Sequence, residues 1–306
     1  MRPDLVLKKI LVTLDGSKTA ESVLPYARAL SRDSSLSVNL VSVIDLVEMA
    51  RSASAAEGLF IDKLVEDEAK RRREYLETIG KSFIGRPVEC HIHSGNPESV
   101  IVEAAAGDKD MLIAMTTHGR SGLTRWLLGS VAEKVLRGSS NPLLLVRASE
   151  SVVSEGQAGL KTIIVPLDGS PLAETVLPPV ADLAKKLNLT VILFRAYSIP
   201  YKFYDVGGGF ALDLDRLLAQ TETDALHYLE EKSDLLKKAG VINVGIASRQ
   251  GYGADEIIAY AANTPDHLIA MCSHGRSGVR RWSLGSVAET VVRHGHNPVL
   301  IFRASI

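Results

Sequence analysis

Two stretches of the chain carry the same pattern of glycine, histidine and serine, and these residue types suit anion binding. His118-Gly119 is followed after nine residues by Gly129-Ser130, and His274-Gly275 is followed after nine residues by Gly285-Ser286. Glycines let a backbone approach an anion closely, and the N–H groups at a helix N-terminus bind phosphate with the help of the helix dipole. The pattern therefore predicts a phosphate-binding loop that opens a helix.

A purely structural interpretation of the same serines stays open. Ser130 and Ser286 are each followed three residues later by a glutamate, Glu133 and Glu289, which is the spacing of a capping box. In that interpretation the serine hydroxyl caps the helix and binds no ligand. The repeated nine-residue spacing behind a His-Gly pair favours the phosphate interpretation.

The pattern belongs to a long internal repeat. Residues 117–149 and 273–305 are identical at 21 of 33 positions, and KKILVTLDGS at residues 8–17 matches KTIIVPLDGS at 161–170. A period of about 155 residues is the size of a whole domain. We therefore predict a first domain at residues 1–148, a linker at 149–159 and a second domain at 160–306.

Within each half, apolar strands alternate with helices, which predicts a parallel sheet covered on both faces. The predicted strands of the first half are Ile10–Leu14, Leu36–Ile44, Val88–His93, Met111–Met115 and Leu143–Val146. Helices are predicted at Ser17–Ala29, Glu57–Ile79, Glu98–Ala106 and Ser130–Arg137. Two less regular inserts, Asp45–Gly58 and Ser198–Phe210, follow the second strand of each half, and the triple glycine at 207–209 is interpreted as a surface loop.

The candidate site residues lie at the carboxyl ends of predicted strands, which is where parallel sheets bind ligands. Asp15 and Asp168 end the first strand of each half, while Thr116 and Cys272 begin the loop after the fourth strand. Ligands bind outside the carboxyl ends of parallel strands, where the strand order reverses. With a strand order of 3-2-1-4-5, both features would face one crevice in each half.

These residues make the chain resemble the universal stress proteins in their tandem form. Nucleotide-binding members of that family carry G-x2-G-x9-G-[S/T] after the fourth strand and an aspartate at the end of the first. The Asn141-Pro142 and Asn297-Pro298 pairs that open the last strand of each half belong to the same resemblance. It implies two Rossmann-like domains of the adenine nucleotide alpha hydrolase-like class, each binding ATP or another adenine nucleotide, with Mg²⁺ as a companion ion.

The resemblance also implies a role for each matching residue. In the first half Asp15 would lie near the adenosine, Val43 would contact the base through its backbone, and Gly119, Gly129 and Ser130 would hold the phosphates. In the second half the matching residues are Asp168, Ala196, Gly275, Gly285 and Ser286.

The first glycine of the motif is missing from both halves. Thr116 and Cys272 stand in its place, and a side chain there narrows the pocket or removes a backbone conformation that glycine reaches easily. Because these two residues differ, as do Val43 and Ala196, we expect the two pockets to differ in shape.

Composition narrows the classes of function. The net charge of −1 offers no basic surface for nucleic acid or an anionic membrane. No apolar run reaches the length of a membrane span, and Met1–Ser17 lacks the layout of a signal peptide. The two cysteines form no disulfide framework, so a reducing cytoplasm is the expected location.

The sequence favours a binding protein over an enzyme. It contains no P-loop, nucleophile elbow or HExxH motif, and the only metal-like pair, His91 and His93, has no counterpart in the second half. The leading hypothesis is a nucleotide-dependent stress sensor or signalling module. The alternatives are an interaction protein with vestigial pockets and a slow ATP hydrolase. The resemblance also implies that the last strands pair the two halves within one chain, and further homodimerisation stays open.

Overall fold

The computed structural model describes residues 6–32, 36–52, 61–118, 128–147, 156–198, 214–273 and 284–303. The five strands of the first half are β1 Lys9–Thr13, β2 Ser37–Asp45, β3 Val88–Gly95, β4 Met111–Thr116 and β5 Leu143–Val146. Those of the second half are β6 Thr162–Pro166, β7 Thr190–Tyr197, β8 Val244–Gln250, β9 His267–Cys272 and β10 Val299–Phe302.

The helices of the first half are α1 Leu24–Arg32, α2 Leu46–Ser52, α3 Ile61–Gly80, α4 Pro97–Ala106 and α5 Ser130–Gly138. Those of the second half are α6 Pro171–Glu174, α7 Leu177–Leu187, α8 Leu214–Lys238, α9 Gly253–Ala262 and α10 Ser286–His294. Ser17–Ala29 was predicted as one helix, whereas a 3-10 turn at Ala20–Val23 leads into α1 there. The insert after β2 is more regular than predicted because it contains α2.

The ten strands form one continuous sheet in the order β3-β2-β1-β4-β5-β10-β9-β6-β7-β8. Each half therefore has the predicted order 3-2-1-4-5, and all strand pairs within a half are parallel. The halves join where β5 and β10 pair antiparallel through Val299–Leu145, Leu300–Leu144 and Ile301–Leu143. We call these three pairs the β5–β10 seam, and they establish the predicted pairing of the halves through their last strands.

A hydrophobic layer covers each face of the sheet. One layer packs α1, α3, α7 and α8 against the sheet, with Leu76 of α3 and Leu229 of α8 fully buried. The other layer packs α4, α5, α9 and α10, with Val135 of α5 and Val291 of α10 fully buried. Burial on both faces explains why β4 and β9 read as continuous apolar runs, since each of their residues is buried.

The described end of the predicted linker is bound to the first half. The buried side chain of Arg28 donates from Nη1 to the carbonyl oxygen of Gly156 at 2.8 Å, and Ala158 N donates to the carbonyl of Pro25 at 3.0 Å. Residues 148–155 lie outside the described part of the chain, as does the triple glycine at 207–209. Within the described residues, no helix has both the length and the apolar character needed to cross a membrane.

Candidate nucleotide site

A cavity of about 610 Å³ lies at the carboxyl ends of β1, β2 and β4 in the first half. Five predicted site residues line it: Asp15, Val43, Thr116, Gly129 and Ser130. The volume falls within the range of roughly 300–1,000 Å³ that holds small molecules and cofactors. The cavity is located where β1 lies between β2 and β4, which is the topological switch point of the half.

Asp15 is held by the turn that follows β1. Its Oδ1 accepts hydrogen bonds from the backbone N of Ser17 at 2.9 Å and from Ser17 Oγ at 2.6 Å. Gly16 between them adopts φ 83°, a conformation in the left-handed region that glycine reaches without strain. Asp168 has the same arrangement, accepting from Ser170 N at 2.9 Å and Ser170 Oγ at 2.7 Å. One carboxylate oxygen thus fixes the turn and orients the residue at the cavity.

Val43 presents its backbone to the crevice. Leu14 N donates to the carbonyl of Val41 at 2.9 Å, so the polar groups of β2 at Val41 point toward β1. Backbone groups alternate in direction along a strand, so those of Val43 point the same way, beyond the last residue of β1. This orientation suits the backbone contacts that the family resemblance assigns to Val43. Ala196 occupies the same position on β7, two residues after the fully buried Phe194 that replaces Val41.

Gly129 and Gly285 are the N-cap residues of α5 and α10, which makes the capping-box interpretation wrong. Ser130 and Ser286 are instead the first residues of their helices, and an N-cap glycine has no side chain with which to cap. A Cβ on Gly129 would lie 2.8 Å from the carbonyl oxygen of Thr117. Close packing of the strand end against the helix start therefore requires glycine at this position.

The same contact changes the role expected for Gly129. Its N–H donates to the carbonyl of Thr117 at 2.7 Å, and Gly285 N donates to Ser273 at the same distance. These N–H groups are used within the protein. The N–H groups of Ser130, Val131 and Ala132 come next, and helix geometry gives them no intrahelical acceptor. Val131 and Ala132 line the cavity, although the sequence analysis did not name them.

Thr116 is buried and takes part in the loop it precedes. Its hydroxyl donates to the carbonyl of His118 at 2.7 Å. Its counterpart Cys272 is also buried, and its Sγ lies 3.7 Å from Thr175 Oγ1. The side chains in place of the motif's first glycine are thus packed inward in both halves. Gly119 and Gly275 lie outside the described residues.

His118 also lines the cavity. Its Nδ1 lies 3.1 Å from Thr117 Oγ1, and its Nε2 is buried without a hydrogen-bond partner among the described residues. Burial, with a further contribution from the Arg147 charge, lowers the pKa of the His118 imidazole. The ring is therefore neutral at pH 7.

Helix α3 supplies the charged wall of the cavity, which sequence reasoning missed. Arg72 is buried and donates from Nε to Glu68 Oε1 at 2.7 Å. Its Nη1 donates to Ser42 Oγ at 2.8 Å and to the carbonyl oxygen of Val43 at 3.1 Å. Arg72 thereby fixes the position of the strand segment that faces the cavity.

A chain of two parallel-stranded, doubly covered α/β halves with a cavity at the switch point defines a tandem Rossmann-like protein. The model of the universal stress protein family matches residues 7–147 and again residues 159–303. The chain therefore belongs to the universal stress protein family, a family of stress-response proteins that are generally non-enzymatic.

Individual relatives agree with this assignment. Universal stress protein Rv2005c of Mycobacterium tuberculosis is 24% identical and aligns over 78% of each chain. Universal stress protein MJ0577 of Methanocaldococcus jannaschii is 32% identical over 48% of this chain and 99% of its own length. The crystal structure of a universal stress protein from Archaeoglobus fulgidus superposes with a TM-score of 0.67, covering 97% of this chain and 98% of that one at 20% identity. The last match concerns the fold alone.

Proposed function

We propose that this protein binds ATP or a related adenine nucleotide in the cavity of its first half and acts as a nucleotide-dependent stress sensor or signalling module. One observation carries the proposal. The cavity combines the oriented carboxylate of Asp15, the backbone of Val43 and the N-terminus of α5, and its volume of about 610 Å³ suits a nucleotide.

Each part of a nucleotide has a suitable group in this cavity. The Asp15 carboxylate accepts hydrogen bonds from ribose hydroxyls, and the backbone of Val43 pairs with the polar edge of a base. The N–H groups of Ser130, Val131 and Ala132, together with the positive end of the α5 dipole, attract phosphate oxygens. Mg²⁺ would be held mainly by those phosphates, since the described residues contain no cluster of three or more metal-binding side chains. The two free cysteines support a reducing, cytoplasmic location.

The test is the affinity of the purified protein for ATP, measured by calorimetry for the wild type and for Asp15→Asn. The asparagine retains an Oδ1 that accepts from Ser17, so the turn is preserved while the charge and one acceptor oxygen are lost. We expect wild-type binding and a loss of about tenfold or more in the variant, because hydrogen bonds to charged groups are worth about 1.5–3 kcal/mol.

Asp110→Asn is the matched control. Asp110 lies just before the amino-terminal end of β4, on the border of the sheet opposite to the cavity. There it pairs with Lys8 at 2.8 Å. Its variant is expected to bind ATP as the wild type does. Absence of ATP, ADP and AMP binding by the wild type would contradict the proposal and favour an interaction protein with a vestigial pocket.

A further inference from the structure

Both halves contain the same tyrosine–glutamate pair beside the strand-end aspartate, half-buried except for the buried Glu21. Tyr75 of α3 donates its hydroxyl to Glu21 Oε1 at 3.2 Å, and Tyr228 of α8 donates to Glu174 Oε1 at 3.0 Å. The partners are 54 residues apart in each half. The pair thus survived in both copies of the repeat, although the surrounding sequences of α3 and α8 differ widely.

An arginine accompanies the pair in each half, but it comes from opposite elements. In the first half Arg72 of α3 reaches across to Ser42 of β2, with Nη1 to Oγ at 2.8 Å. In the second half the residue at the position of Ser42 is Arg195 of β7, and Ala225 stands at the position of Arg72. The guanidinium carbon of Arg195 lies 4.6 Å from the centre of the Tyr228 ring. The arginine and the small residue have exchanged places.

Arg195 also reaches the turn that orients Asp168. Its Nη2 lies 3.2 Å from the point where a Cβ on Gly169 would stand, and Gly169 directly follows Asp168. In the second half the guanidinium therefore lies against the turn of the strand-end aspartate, whereas in the first half Arg72 acts on the same cluster through Tyr75.

A lysine shows a second exchange of the same kind. Lys18 contacts Glu21 Oε2 at 3.2 Å in the first half, where Pro171 is its counterpart in the second. Lys232 contacts Glu174 Oε2 at 2.9 Å in the second half, at the position of Ile79 in the first. Each glutamate has kept a cation while the source of that cation changed.

Electrostatics explains why the cations persist. Glu21 is only 3% exposed, and a buried carboxylate is costly unless it is paired and hydrogen-bonded. Burial raises the pKa of the Tyr75 hydroxyl, the Glu21 and Asp15 charges raise it further, and Arg72 opposes them. Burial likewise raises the pKa of Tyr228, with Glu174 and Asp168 raising it and Arg195 opposing. The same four groups interact in both halves.

We propose that Arg72 and Arg195 are equivalent positioning residues, which deliver one guanidinium from opposite sides to hold Asp15 or Asp168 in its ligand-binding orientation. This inference rests on the proposed function, because the task of the aspartate is to bind the nucleotide. The guanidinium compensates the carboxylates of the cluster in both halves, and in the second half it also lies against the turn after the first strand. The sequence position that supplies the guanidinium thus differs between the halves, a helix in the first and a strand in the second.

The exchange itself provides the experiment. Arg72→Ala removes the guanidinium from the first half, and the double variant Ser42→Arg/Arg72→Ala rebuilds there the arrangement of the second half. Arg73→Ala removes a charge from the neighbouring, exposed position of α3 and serves as the control. ATP affinity by calorimetry and Tm without ligand are measured for all of them.

We expect Arg72→Ala to weaken ATP binding about tenfold, as for the loss of one hydrogen bond to a charged group. The double variant is expected to regain most of that affinity, while Arg73→Ala keeps the wild-type value. A lowered Tm with unchanged affinity in Arg72→Ala overturns the positioning role. So does a double variant that recovers Tm but not affinity.

Failure of the proposed function gives a different result. If the wild type binds no adenine nucleotide, the proposed function is lost and the positioning role is lost with it. Recovery of Tm in the double variant then still supports the equivalence of the two arginines as compensating charges. Absence of that recovery overturns the equivalence as well.

Discussion

At the scale of single residues, the candidate site depends on close backbone approach more than on reactive side chains. Gly129 allows the start of α5 to pack on the carbonyl of Thr117, and Thr116 hydrogen-bonds the carbonyl of His118. These contacts fix the backbone at the end of β4 against the start of α5. Replacing a single glycine is therefore expected to disturb the site.

Gly129→Ala should lower the free energy of unfolding by about 1–3 kcal/mol, as overpacking of a tight interior does. The new methyl would lie 2.8 Å from the Thr117 oxygen, so strand end and helix start must move apart. Urea denaturation measures the change, and ATP binding should weaken in parallel.

Gly138→Ala, at the other end of the same helix, is the matched control. Its new methyl would meet only Val102 Cγ2, at 3.5 Å, which is an ordinary contact. It should be neutral or slightly stabilising, because alanine favours helix more than glycine by about 0.5–1 kcal/mol. Equal behaviour of the two variants would contradict the role assigned to the Thr117–Gly129 contact.

At the scale of elements, the sequence predicted the strands well because their signals are local and repeated. The apolar runs gave β1 to β5 to within one or two residues, and the aspartate and glycine motifs located the crevice edge. The strand order 3-2-1-4-5, expected from the placement of those motifs, is confirmed. The second copy allowed each pattern to be checked against an independent sequence.

The sequence analysis failed for two reasons. One local signal was not used, and other features depend on contacts between residues far apart in the sequence. Helix α2 had an available signal, since Asp45 Oδ1 accepts from the N–H groups of Val47 and Glu48 at the helix start. The capping-box interpretation, which stayed open beside the favoured phosphate interpretation, would place the cap of α5 one residue too late, at Ser130 instead of Gly129. Arg72 could not be identified, because its partners Ser42 and Val43 lie about 30 residues away.

The buried His267 at the start of β9 makes the stability of the protein depend on pH. His267, the first residue of β9, is 7% exposed, and its Nε2 is buried without a hydrogen-bond partner among the described residues. Burial lowers the pKa of its imidazole below the ordinary 6.5, against smaller opposing contributions from a hydrogen bond to the Thr264 backbone and from Asp266. The unfolded chain therefore binds this proton at a higher pH than the folded chain does.

The contribution of His267 to stability is complete above pH 6.5 and falls as the pH drops from there through the lowered folded pKa. His267→Gln should reduce the slope of unfolding free energy against pH in this window. His227→Gln, which changes an exposed histidine of α8, should leave the slope unchanged. Urea midpoints between pH 7.5 and 5.5 measure both, and identical slopes in all three proteins would contradict the assignment.

At the scale of the whole molecule, the β5–β10 seam turns two five-stranded sheets into one. All four residues of β5 and of β10 are buried. Beside the seam, Arg293 of α10 contacts Glu289 at 2.9 Å and Glu133 of α5 at 3.6 Å. Arg147 donates to the carbonyl of Gly295 across the halves at 3.2 Å. The halves therefore share both backbone pairing and charged contacts.

A chain truncated after residue 147 should form a homodimer. It would expose the apolar edge of β5, and an unpaired strand edge pairs readily with another copy. Light scattering on the purified fragment should give twice the fragment mass. A folded wild-type fragment that stays monomeric would show that the seam needs features of β10.

The antiparallel seam also fixes the polarity of the molecule. Because β5 and β10 run in opposite directions, the carboxyl ends of β1–β5 and those of β6–β10 emerge at opposite borders of the sheet. The cavity at Asp15 and the corresponding position at Asp168 consequently face in opposite directions. A partner bound at one of these positions leaves the other accessible. The geometry of a single chain therefore allows two partners to bind at the same time.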